Sequence, residues 1–113
     1  MVEHEDFIRA PLAGPVRFWV SERQSVAVAR EISAGGISLE TDELVHSGAR
    51  VTLQLNVPGG QTLTVLGEVV RTVRGGVLNA ATMGVRFVDL VPDHQRSIIT
   101  YVMRQVLQAA PAP

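Results

Sequence analysis

Hydrophobic and polar residues alternate along most of this chain, and the alternation changes period only near its carboxy-terminal end. The cleanest stretch is Val51, Leu53, Leu55 and Val57 set against Thr52, Gln54 and Asn56, which predicts a half-buried strand. Pro58, Gly59 and Gly60 close it with a hairpin turn, since glycine reaches the positive φ that tight turns require. The return strand is expected from Thr62 to about Arg74, with its phase slipping at Gly67, where a bulge or sharp coil is predicted. Gly75 and Gly76 make the next turn, and Ala81 to Val88 comes next as a strand with Met83, Val85 and Phe87 on one face.

The first half reads the same way. Val16, Phe18 and Val20 alternate with Arg17 and Trp19, and Ser25 to Ile32 carries Val26, Val28 and Ile32 on a common face. The small run Ser33-Ala34-Gly35-Gly36 turns the chain into a third strand with Ile37 and Leu39, which stops at the polar stretch from Thr41 to Gly48. Residues 1–15 are expected to form a flexible, irregular leader, broken by Pro11, Gly14 and Pro15.

From Pro92 the period becomes helical. Ile98, Ile99, Val102, Met103, Val106 and Leu107 recur at that spacing, Pro92 sits where a first turn tolerates it, and Asp93 faces the positive end of the helix dipole. The pattern predicts a helix over about 92–109 whose apolar face covers one end of the sheet. Six short strands with tight turns and one terminal helix suggest an antiparallel barrel or sandwich.

At 113 residues and 12.2 kDa, with 46% hydrophobic and 19% charged residues, the chain is expected to be a single domain with enough apolar material for one core. The absence of cysteine excludes disulfides, thiolate metal sites and thiol nucleophiles. A net charge of -1 gives no field to hold DNA or an anionic membrane, so an anion must be caught locally. All ten basic residues are arginine, which forks onto phosphate or a guanine edge and cannot form a Schiff base. No segment approaches the roughly 20 apolar residues that span a bilayer, and the acidic amino terminus is unlike a signal peptide, so a cytoplasmic protein is expected. His4, His46 and His94 show no metal-ligand spacing, and no nucleophile motif is present, so neither a metal cofactor nor an enzyme is expected. A barrel binding single-stranded nucleic acid would want a basic groove with several aromatics, against an aromatic content of 4%.

The segment Glu31-Ile32-Ser33-Ala34-Gly35-Gly36-Ile37-Ser38-Leu39 resembles the strand-joining motif of the PilZ family of bacterial second-messenger receptors. That motif reads (Asp/Asn)-x-Ser-x-x-Gly; Ser33 and Gly36 match it, and Glu31 stands at the Asp/Asn position. The runs Gly67 to Arg71 and Met83 to Phe87 are also similar to the family's later strands, so the likeness extends over about residues 7–107. The family's second signature is Arg-x-x-x-Arg in the leader. Arg9-Ala10-Pro11-Leu12 resembles its second arginine and the residues after it, while Glu5 occupies the place of the first.

The resemblance implies a six-stranded antiparallel PilZ-like β-barrel with a carboxy-terminal α-helix, and cyclic di-GMP as the ligand class. It implies binding through Arg9, Glu31, Ser33 and Gly36, with Arg30 beside them. Arginines would take phosphate or guanine O6 and N7, the acidic residue would accept from guanine N1 and N2, and the serine hydroxyl would reach phosphate. Glu5 removes a charge-assisted bond of about 1.5–3 kcal/mol and adds repulsion, which weakens binding by roughly one to three orders of magnitude. Two readings are open. In one, the chain is an adaptor of cyclic di-GMP circuits in which ligand binding is weakened or lost, and it acts through a protein partner in motility or surface behaviour. In the other, it is a working receptor using Arg9 and the Glu31-Ser33-Gly36 motif.

Overall fold

The computed structural model describes residues 7–43, 45–75 and 80–109. These residues form seven strands and one helix, in order: β1 (Ala10–Pro11), β2 (Pro15–Val20), β3 (Arg23–Ile32), β4 (Gly36–Thr41), β5 (Arg50–Asn56), β6 (Thr62–Arg74), β7 (Ala81–Val88) and α1 (Pro92–Ala109). All pairings are antiparallel. The sheet runs β3-β2-β5-β6-β7-β4, and pairing of β3 with β4 closes it into a six-stranded barrel, with β1 as an extra short strand on β3. Closure removes the open edges that an alternating sheet would otherwise present.

The inward positions fill one core. Phe18, Leu39, Leu53, Leu55 and Met83 are fully buried, and Ile98, Tyr101 and Val102 of α1 belong to the same cluster. The leader, expected to be irregular, is tied down from Ala10 onward. β1 pairs Ala10 with Ile32 and Pro11 with Glu31, Leu12 N donates to Arg30 O at 3.0 Å, and Ala10 and Leu12 are buried. Two residues and a proline give no readable period, so this strand leaves no mark in the pattern. Its outer clamp is the Tyr101 hydroxyl, which donates to Pro11 O at 2.6 Å. Tyr101→Phe should therefore cost about 1 kcal/mol, a fall of roughly 4 °C in thermal midpoint by circular dichroism.

Two expectations of strand phase are corrected. In β3 the core takes Ala27 and Ala29, while Val26 and Val28 face outward. Val16 stands directly opposite Ala27, and the interior next to it is already filled by Phe18 and Leu53, so the small residues point in. Ile32 returns to the core only because a bulge between Ala29 and Glu31 shifts the period. In β6 the register runs unbroken through Gly67, which pairs with Val51 and Phe87; the irregularity falls between Val69 and Arg71. Gly67 serves close packing instead, since a Cβ there would collide with Val85 Cγ1.

The helix differs in a similar way. Of the six-residue stripe expected to cover the sheet, Ile98 and Val102 are buried, whereas Ile99, Met103, Val106 and Leu107 are exposed. Burial ends at Val102, and the helix continues through Ala109. No helix among the described residues is long and apolar enough to cross a membrane.

Candidate functional site

A concavity of about 430 Å³ opens on the outer surface of the barrel, floored by β3, β4, β7 and β6 and bordered by the segment that leads into β1. Its floor is set by the strand registers. Glu31 pairs with Ser38, Ser38 with Gly84, and Gly84 with Arg71, so one row crosses four strands. At about 4.8 Å per strand this row spans roughly 14 Å. A carboxylate and a guanidinium end it, and two small residues in the middle leave room for a ligand.

Both charged ends depend on bulges. Ala29 and Val69 are buried, so strict alternation would turn Glu31 and Arg71 into the core as well. The extra residues Arg30 and Val70 shift the phase in β3 and β6, and Glu31 and Arg71 point outward instead. This is the usual work of a bulge beside a site, re-aiming one side chain without unpicking the sheet.

The turn between β3 and β4 forms one side. Ser33 N donates to Gly36 O at 2.9 Å, Gly35 N donates to Ser33 Oγ at 3.1 Å, and Phe87 N donates to Gly35 O at 2.9 Å. These bonds fix the turn on β7. Gly36 pairs with Arg86 so closely to Val85 that no side chain fits between. Pairing of Ala10 with Ile32 brings Arg9 alongside, where its Nη1 stands 3.8 Å from Glu31 Oε1 with both side chains about half exposed. An exposed pair of that length is weak and exchangeable.

Arg9, Glu31, Ser33 and Gly36 thus share one concavity, whereas Arg30 does not line it. As the bulge residue, Arg30 turns to β4 and forms an ion pair with Glu40. Glu5 lies outside the described residues. Among the lining residues that were not site candidates, Phe7, Arg71 and Arg86 bring an aromatic ring and two guanidinium groups. Arg86 is held by an ion pair with Glu68, while Arg71 has no ion pair among the described residues. The arginines lie in strands whose apolar alternation was legible, but only the β4-β7-β6 register joins them to the Ser33 turn.

A second hollow of about 390 Å³ lies between residues 12–16 and the turn at residues 56–60. Among the described residues no ionisable side chain lines it. Among the described residues no group of histidine and acidic side chains is arranged to hold a metal.

A family model for the PilZ domain matches residues 3–104. The chain belongs to the PilZ domain family. This PilZ domain is similar in fold to the Bacillus subtilis inhibitor of motility MotI/DgrA, with TM-score 0.78 and 17% identity over 97% of this chain and 55% of that one. It is also similar to the PilZ domain of Escherichia coli YcgR solved with c-di-GMP, with TM-score 0.71 and 15% identity over 92% of each chain. The MrkH-c-di-GMP complex of K. pneumonia gives TM-score 0.75 and 17% identity over 96% of this chain and 55% of that one. The PilZ domain therefore spans about half the length of the first and third of these proteins. A search of curated proteins returned no match.

Proposed function

We propose that this PilZ domain is a cyclic di-GMP receptor of attenuated affinity that acts through a protein partner in bacterial cytoplasmic signalling, without catalysing a reaction. The observation that carries the reading is the convergence of Arg9, Glu31, Ser33 and Arg71 on one concavity. Two guanidinium groups supply forked donors for phosphate oxygens or guanine O6 and N7, and Glu31 supplies the acceptor for guanine N1 and N2. Ser33 keeps its hydroxyl proton for a phosphate while its oxygen accepts from Gly35. Arg71 offsets in part the arginine that the leader lacks at Glu5.

Attenuation has two sources. Arg9 must exchange Glu31 for the ligand, and Glu5 brings a second carboxylate to the arm that carries Arg9. The output surface in this reading includes the exposed residues of α1, Ile99, Met103 and Val106. A link to motility or surface behaviour rests on the family alone.

Calorimetric titration with cyclic di-GMP tests the proposal. The protein should bind saturably with a dissociation constant in the micromolar range, and Arg9→Ala should weaken binding about tenfold or more through one lost charge-assisted contact. Saturable binding untouched by Arg9→Ala would move the site elsewhere. No saturable heat at all would leave the ligand-independent adaptor as the function.

A further inference from the structure

The concavity has an aromatic side that no charge argument uses. Phe7 lines it, is 38% exposed, and lies two residues before Arg9 on the same arm. Its position is set by Gly35: a Cβ at that glycine would come within 2.8 Å of Phe7 Cδ2 and Cε2, so the ring packs directly on the turn backbone. That backbone is itself immobilised, since Gly35 N donates to Ser33 Oγ and Gly35 O accepts from Phe87 N. An apolar ring on a fixed support, half open to a hollow edged by Arg9, Arg71 and Glu31, is the arrangement that receives a flat heteroaromatic base.

We propose that Phe7 is a base-stacking platform, giving the concavity a purine face beside its phosphate donors. The inference rests on the receptor reading above and deepens it: the guanidinium groups hold the anionic backbone, Glu31 reads the edge of one guanine, and Phe7 takes the π-face. Gly35 belongs to the same device, because only a residue without a side chain leaves the ring in place.

Calorimetric titration with cyclic di-GMP across four forms of the protein separates the two claims. Phe7→Leu should bind about tenfold more weakly than the unmodified protein, and Phe7→Tyr should restore binding to within about threefold, because stacking needs a ring and tolerates its substituents. Gly35→Ala, at a position without positive φ, should push the ring aside and weaken binding by a similar factor while leaving Phe7 intact. Thermal melts within about 3 °C of the parent would show that each variant is folded. Unmodified protein that binds, with Phe7→Leu binding equally well or more tightly, would overturn the stacking platform alone and make the ring a plug. Failure of the unmodified protein to bind would overturn the receptor reading and the platform with it.

Discussion

Gly36→Ala is expected to melt at least about 10 °C below the parent protein, the largest stability loss that a single added methyl should cause here. The new Cβ would fall well inside van der Waals contact of the Val85 carbonyl oxygen and 3.3 Å from Arg86 Cα. Both are backbone atoms, so no rotamer change relieves the contact. The strands β4 and β7 must separate where Gly36 pairs with Arg86, and the bonds from Phe87 N to Gly35 O and from Ser33 N to Gly36 O are strained together. Overpacking of that kind costs about 3 kcal/mol. Gly75→Ala is the control, because nothing among the described residues stands within 4 Å of a Cβ at Gly75. Circular dichroism melts of both variants decide it: a Gly36→Ala midpoint equal to that of Gly75→Ala would contradict the close approach of β4 to β7.

The same glycine marks a boundary between what a sequence discloses and what only packing decides. Gly36 stood out in the turn because it comes after Ser33 in a recognisable motif, and the six barrel strands stood out because one face of each is apolar. The clean alternation of β5 survives intact, with Val51, Leu53 and Leu55 all buried. Phase was legible only where a strand is regular. Val26 and Val28 are the most hydrophobic residues of their strand apart from Ile32, yet packing against Phe18 favours Ala27 and Ala29 inside, a volume constraint that no single strand reveals. Bulges are harder still. A glycine suggested one at Gly67, but the shift came at Val70, where no residue type announces it. Since the bulges at Arg30 and Val70 are what expose Glu31 and Arg71, alternation hid both outward positions; Glu31 was legible only through its place in the motif, and Arg71 not at all. Arg30, next to Glu31 in sequence, points to Glu40 for the same reason.

Charge reversal at Arg71 should have the largest effect on ligand binding. In the receptor reading, Arg71 is the guanidinium that has no carboxylate partner among the described residues, so its donors are available without first breaking a pair. Removing it forfeits a charge-assisted contact of about 1.5–3 kcal/mol, and a glutamate in its place adds repulsion toward phosphate. Arg71→Glu should therefore lower affinity for cyclic di-GMP at least about a hundredfold, whereas Arg71→Ala should lose only about ten- to a hundredfold. Folding should be untouched, because the side chain is exposed. Arg17→Glu makes the same charge change on β2, at an exposed position that does not line the concavity. If long-range charge governed binding, the two reversals would weaken it alike; if contact governs it, Arg17→Glu stays within about threefold of the parent. Titrations of both proteins at two salt concentrations separate these cases, since a screened long-range effect shrinks as salt rises while the loss of a donor at the floor of the site persists.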